Sequence, residues 1–133
     1  MKRMLLVVMS LVMILGLCSF APPDDPVSPD YLYTSRCSSL LSISRLNATC
    51  TSNLIGYYGE TTKIVVTQTL QVKDGNQWRT SSSWSHTYYD YSCQFTNSKT
   101  VYSGNTYRVK SEFKVYAGTN YETVYSYSTT KTT

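Results

Sequence analysis

Apolar and polar residues alternate with a period of two along most of the chain from residue 36 onward, as they do in strands that bury one face. Serine, threonine, tyrosine and valine dominate this part, and proline is absent from it. Such residues favour a pleated, half-buried surface, and turn signals recur between them at short spacing. The pattern predicts an all-β fold, an antiparallel immunoglobulin-like β-sandwich of about seven strands over residues 36–129.

The first two strands are predicted at 37–44 and 47–57. A two-residue turn at Arg45-Leu46 joins them, because that loop length places the apolar positions of both strands on one face. The third strand is predicted at 62–73 and also has one apolar face. Its inward side chains are expected to be Ile64, Val66, Leu70 and Val72.

The strongest turn signal of the chain is the Asp-Gly-Asn segment at 74–76. A three-residue loop there would place Trp78 opposite Val72 in the third strand. It would also place Trp84 opposite Val66. Because burying two indoles stabilises a fold by several kcal/mol, the sequence predicts this loop length and puts both tryptophans on the inner face.

Three further strands are predicted near 92–99, 106–116 and 121–129, the last two joined by a three-residue loop at 118–120. Tyr107 opens the sixth strand and resembles the tyrosine corner of immunoglobulin-like sandwiches, whose hydroxyl bonds back to the backbone just upstream. A tyrosine that only follows the alternation is the alternative interpretation.

Lys2 and Arg3 precede an apolar run of 14 residues that ends at Leu17. This run is shorter than the roughly 20 residues of a membrane span and is typical of a signal peptide, predicted at 1–21. Lipidation at Cys18 is a minor alternative. Proline and aspartate make 22–35 an extended linker, and the tail at 130–133 is predicted to fray. The protein is therefore expected to be secreted, either extracellular or loosely associated with the cell wall.

The formal net charge of the chain argues against two classes of partner. The chain has a formal charge of +4, which falls to +2 when Lys2 and Arg3 leave with the leader. A charge this small, without a basic run, argues against nucleic acid as a partner. It argues equally against strong binding to anionic membranes, and no stable membrane insertion is expected after the leader is cleaved.

A series of short motifs runs through the predicted domain. In order they are Cys37, Leu41-x-Ile43, Ala48-x-Cys50, Gly56-Tyr57, Thr62-Lys63-Ile64, Leu70-Gln71, Trp78, Trp84-Ser85, Gly104, Tyr107-Arg108-Val109-Lys110, Tyr116-x-Gly118, Glu122 and Tyr127-Ser128. The series resembles a family of small secreted proteins of Gram-positive, clostridia-like bacteria, a domain of unknown function. The resemblance implies secretion and a β-sandwich and brings no catalytic residues. Arg45-Leu46 and Cys93 depart from the pattern of that family.

The resemblance favours a disulfide between Cys37 and Cys50, and export permits one. The predicted register argues against it. With Cys50 opposite Leu41, Cys37 lies four residues along its strand, at least about 13 Å away, whereas a disulfide needs Cα atoms within about 7 Å. Either the first strand bulges, or both thiols are buried hydrophobic groups. The role of Cys93 stays open.

No catalytic, metal or cofactor site is predicted. His86 has serines and Asp90 nearby in sequence, but no nucleophile elbow accompanies it. One histidine and scattered acids do not supply the three or four ligands of a zinc site. Glu112 and Glu122 are not neighbours in the predicted last hairpin, so they do not form the carboxylate pair of a glycosidase. A non-enzymatic protein is expected.

Tyrosine is unusually frequent, with 13 in the chain. Tyr88, Tyr89 and Tyr91 fall where the strand alternation breaks down, and they are the candidate ligand contacts. Exposed tyrosines make large contacts at low cost in conformational entropy, and a tyrosine-rich strand surface is the alternative. The expected function is extracellular recognition, adhesion or envelope association, with a cell-wall or host glycan or protein as partner. A carbohydrate-binding module and a small secreted toxin or bacteriocin-like protein are the alternatives.

Overall fold

A computed structural model describes residues 31–133. The signal peptide predicted at 1–21 and most of the linker predicted at 22–35 lie outside the described residues. Every regular element of the described part is a strand. The strands are β1 (Thr34–Ser44), β2 (Asn47–Gly56), β3 (Lys63–Asp74), β4 (Gln77–Tyr88), β5 (Ser92–Thr100), β6 (Thr106–Ala117), β7 (Asn120–Tyr127) and the short β8 (Lys131–Thr132).

The strands form two antiparallel sheets that enclose the core. One sheet has the order β1-β2-β5 and the other β4-β3-β6-β7, with β8 paired to β6. In constant-type immunoglobulin domains the first, second, fourth and fifth strands share one sheet, and the third, sixth and seventh share the other. The observed strands follow this division except for β4, which pairs with β3. The predicted all-β, immunoglobulin-like sandwich is therefore confirmed.

The first hairpin has the predicted register. Ser44 pairs with Asn47 across the turn, so the loop is the two-residue segment Arg45-Leu46. Both loop residues have positive φ, 52° and 60°, as a type I′ hairpin turn requires. This turn matches the twist of the two strands, and the fold imposes it on two residues that do not favour it.

The second long hairpin differs from its prediction. Asp74 pairs with Gln77, so the loop is Gly75-Asn76 and the three-residue loop at 74–76 is wrong. Only the glycine of this loop has positive φ, which is the pattern of a type II′ turn. Trp78 consequently pairs with Lys73 rather than Val72 and lies on the outer face.

A bulge in β4 then reverses the alternation between the two tryptophans. Leu70 pairs with Ser82 and Gln71 with Thr80, which leaves one extra residue in β4. Trp84 therefore returns to the inner face, where it pairs with Gln68 rather than with the predicted Val66. It packs against the core with its ring partly buried.

The last hairpin is also tighter than predicted. Ala117 pairs with Asn120, so a two-residue loop replaces the predicted loop at 118–120. This shift moves Glu122 to an inward position opposite Val115. At the C-terminus, Lys131–Thr132 pairs with β6, where the sequence predicted a frayed tail.

A polar layer divides the core into two hydrophobic clusters. Gln68, at the centre, is fully buried; its Nε2 donates to Ser52 Oγ (2.8 Å) and to the Phe95 carbonyl (3.0 Å). The Ser111 hydroxyl bonds those of Ser39 and Ser52 at 2.6 Å each. One flanking cluster contains Leu41, Ala48, Cys50, Leu70, Val72, Val101, Tyr107 and Val109. The other contains Cys37, Leu54, Ile64, Val66, Phe113, Val115 and Val124.

Tyr107 forms the predicted tyrosine corner. Its side chain is 2% exposed. The Tyr102 backbone N–H donates to its hydroxyl (3.1 Å), and the hydroxyl donates to the Tyr102 carbonyl (3.4 Å). These two bonds anchor the β5–β6 connection to the start of β6.

Candidate ligand-binding pocket

A pocket of about 660 Å³ lies across one end of the three-stranded sheet, where the chain crosses from β4 to β5. Its volume lies within the range of roughly 300–1,000 Å³ that is common for small-ligand sites. Hydrogen-bonding side chains and one aromatic ring contribute to its lining, from Arg36, Ser38, Asn53, Tyr88, Asp90, Ser92 and Gln94. The rest of the lining comes from Cys37, Leu54, Ile55 and Cys93.

The register of the sheet places three of these side chains in one row. Ser38 in β1 pairs with Asn53 in β2, and Asn53 pairs with Gln94 in β5. Neighbouring strands lie about 4.8 Å apart, so the three polar groups form a continuous hydrogen-bonding surface. Asn53 Nδ2 donates to Ser38 Oγ at 3.3 Å, which orients the amide across the pocket.

Tyr88 forms one side of the pocket at the end of β4. Its hydroxyl donates to the Gln94 carbonyl at 3.1 Å, and its ring packs edge-on against His86 and Phe95. Burial raises the pKa of the Tyr88 phenol, so the hydroxyl remains a donor at neutral pH. The hydrogen bond and the ring contacts hold Tyr88 against both sheets.

The three tyrosines predicted as ligand contacts lie in different environments. Tyr88 lines the pocket, Tyr89 is 82% exposed, and Tyr91 packs edge-on against Tyr58 with ring centroids 5.4 Å apart. The Tyr91 amide donates to the Asp90 carboxylate at 2.7 Å, which shapes the crossing loop. The structure therefore brings only Tyr88 into the pocket, and contact of the other two with a ligand stays a prediction.

The β2–β3 loop positions Tyr58 beside this crossing loop. Thr61 Oγ1 accepts a hydrogen bond from the Tyr57 backbone amide (3.0 Å), and the Thr61 amide donates to the Tyr57 carbonyl (2.9 Å). The Thr61 side chain packs so closely on Gly56 that an added Cβ would collide with it. Glycine at this position therefore allows the compact loop that presents Tyr58.

Sequence reasoning missed the polar lining contributed by Arg36, Asn53 and Gln94. These residues occupy outward positions of their strands, where polar side chains are the rule. Only the pairing of β2 with β5 shows that Asn53 and Gln94 adjoin. Tyr88 was found because it lies where the alternation ends.

The three cysteines of the described residues are free, so the disulfide that the resemblance favours is absent. Cys37 pairs with Leu54, and Cys50 pairs with Leu41, as the register argument predicted. Burial raises the pKa of Cys37 and Cys50 to about 11 and that of Cys93 to about 12. The thiols are therefore protonated at neutral pH and act as apolar side chains.

The other side chains that the sequence analysis considered for a catalytic or metal site do not come together in the described part of the chain. His86 stacks on Phe95 with ring centroids 5.9 Å apart. Glu112 and Glu122 project from opposite faces of their sheet, since their strand partners are Thr67 and Val115 respectively. Residues 31–133 contain no cluster of three metal-ligating side chains. They also contain no helix that is long and apolar enough to span a membrane.

In comparisons with known proteins, no protein-family model and no curated protein matches the chain.

Proposed function

We propose that this protein is a secreted, non-enzymatic recognition module that binds a glycan in the pocket at the end of the β1-β2-β5 sheet, beside the end of β4. The observation that carries the proposal is the row of Ser38, Asn53 and Gln94 beside the ring of Tyr88. Secretion rests on the leader predicted at 1–21.

The chemistry of the lining supports a sugar as the ligand. Amide side chains both donate and accept hydrogen bonds, as sugar hydroxyls do. Arg36 and Asp90 add one donor group and one acceptor group of opposite charge. An aromatic ring beside such polar groups offers an apolar surface for the C–H face of a sugar ring.

The test is a double substitution in the polar row. Asn53→Ala with Gln94→Ala removes two hydrogen-bonding groups from outward positions and leaves the core intact. On an array of cell-wall and host glycans, we expect the wild-type protein to bind a defined subset. The variant should bind that subset about tenfold more weakly, because two lost hydrogen bonds contribute roughly 1–3 kcal/mol together and about 1.4 kcal/mol corresponds to a factor of ten.

The matched control is Thr51→Ala with Thr96→Ala. These residues also pair between β2 and β5 and lie outside the pocket lining. The control should bind like the wild type, and both variants should melt within a few degrees of it. Equal binding by the wild type and the pocket variant, or no binding to any glycan, would contradict the proposal.

A further inference from the structure

The outer face of the four-stranded sheet carries an uncompensated positive charge. Half of the ten lysines and arginines in residues 31–133 lie there, but only one of the five acids. That acid, Glu112, accepts a hydrogen bond from the Tyr125 hydroxyl at 3.1 Å. The one salt bridge of the described residues lies elsewhere, between Arg79 and Asp74. The five cations of this basic face are Lys63, Lys73, Arg108, Lys110 and Lys114.

Aromatic rings alternate with these cations. The Arg108 guanidinium lies between two rings, 4.2 Å from the centroid of Trp78 and 4.5 Å from that of Tyr127. Lys110 lies 5.5 Å from Tyr125. On the neighbouring edge strand, three tyrosines occupy outward positions and remain partly exposed: Tyr121 (55%), Tyr125 (48%) and Tyr127 (38%). The basic face therefore combines positive charge with exposed rings.

The dimensions favour a polymer over a small molecule. Lys110 and Lys114 are four residues apart on β6, which corresponds to about 13 Å along a strand. Tyr121 and Tyr125 have the same separation on β7. A ligand that contacts both members of either pair must span about 13 Å, as several linked sugar rings do.

We propose that the basic face binds an acidic polysaccharide whose sugar rings carry carboxylates. Carboxylates pair with the ammonium groups of Lys110 and Lys114. Sugar rings stack on Tyr121 and Tyr125, and this contact is possible only for a polyanion built from rings. The surface lies on the opposite side of the sandwich from the pocket, so this proposal does not depend on glycan binding there.

The experiment measures migration of the purified protein in native gels that contain polygalacturonate, dextran or polyphosphate. Polygalacturonate has rings and charge, dextran has rings alone, and polyphosphate has charge alone. We expect polygalacturonate to retard the protein most, and added salt to weaken the retardation because it screens exposed charges.

Two variants test the two components of the basic face. Lys110→Gln with Lys114→Gln, and Tyr121→Ser with Tyr125→Ser, should each weaken retardation by polygalacturonate at least about fivefold. The matched control is Lys99→Gln with Lys131→Gln. It removes the same charge from exposed residues of β5 and β8 and should migrate like the wild type in polygalacturonate.

Three results would overturn the proposal. The first is no retardation by polygalacturonate. The second is an equal loss in the control and the Lys110/Lys114 variant, which would show that net charge alone is sensed. The third is equal retardation by polyphosphate, which would remove the role of the rings. The pocket variant at Asn53 and Gln94 should retain polygalacturonate binding, so the failure of one proposal is separate from the failure of the other.

Discussion

At the scale of single residues, the alternation of inward and outward positions along a strand predicted the first hairpin turn correctly and the second one wrongly. The turn at Arg45-Leu46 has no favourable turn residue, yet it was predicted correctly because a two-residue loop places the apolar residues of β1 and β2 on one face. At residues 74–76 the three-residue loop was predicted because it would bury both Trp78 and Trp84, and the observed loop is Gly75-Asn76, which leaves Trp78 on the outer face. Gly75 takes the first loop position, where its freedom of φ is needed.

The Arg45-Leu46 turn leads to a prediction about stability. Each residue has positive φ, a conformation that costs residues with a Cβ roughly 1–2 kcal/mol. Arg45→Asn with Leu46→Gly should raise the free energy of unfolding by about 1–2 kcal/mol, because Asn-Gly favours this turn. The measurement is urea denaturation. As a control, Thr119→Gly, at a loop position without positive φ, should give no gain. A gain in both variants, or in neither, would contradict the explanation.

At the scale of elements, the inner face of β3 could be predicted from the sequence and that of β4 could not. Burial alternates along β3 up to its last residue, and every buried residue except Gln68 is apolar. In β4 the bulge lies in a run of serines, where one extra residue leaves no mark on the pattern. Part of the candidate site could not be predicted from the sequence for a related reason. The row of Ser38, Asn53 and Gln94 depends on which strands are neighbours, and alternation within one strand carries no such information.

Strand β7 holds the chain where it enters the sandwich. The Glu122 carboxylate accepts hydrogen bonds from the Leu32 amide (2.8 Å), the Tyr33 amide (2.8 Å) and the Thr34 hydroxyl (3.0 Å). Glu122→Ala should free this segment, since each hydrogen bond to a charged group contributes about 1.5–3 kcal/mol. Limited chymotrypsin digestion should then cleave after Tyr31 or Tyr33 faster than in the wild type.

The control for this prediction is Glu112→Ala. Glu112 bonds only the Tyr125 hydroxyl among the described residues, so its removal leaves the segment from Leu32 to Thr34 attached. Cleavage that is equally fast in both variants would show that general destabilisation exposes the segment. Cleavage that is slow in both would show that the carboxylate is not what holds it.

At the scale of the whole molecule, total composition conceals the distribution of charge. The formal charge after loss of the predicted leader is small, and it argued against nucleic acid and anionic membranes as partners. The fold nevertheless gathers Lys63, Lys110 and Lys114 on one face of one sheet. The distribution of charged residues over the surface depends on the order of the strands in the sheet, so the basic face could not be predicted from the composition.

The polar layer around Gln68 also belongs to this scale, because it joins the two sheets. Its amide bonds Ser52, the Phe95 carbonyl and Asn97 (2.9 Å), all in the opposite sheet. Gln68→Leu would leave buried partners unsatisfied, which costs about 1–3 kcal/mol. We expect the free energy of unfolding, measured by urea denaturation, to fall by that amount although leucine is the more apolar side chain.

The matched control is Gln71→Leu, the same chemical change on the outer face of the same strand. Gln71 accepts one hydrogen bond, from Arg108 Nε at 2.8 Å, and both residues remain partly exposed, so solvent can replace the lost partner. Its effect should therefore stay below about 1 kcal/mol. If Gln68→Leu were neutral or stabilising, the two hydrophobic clusters could merge without loss, and the bonds between the sheets would not be a source of stability. If both substitutions cost the same, burial of the Gln68 network would not be what makes it important.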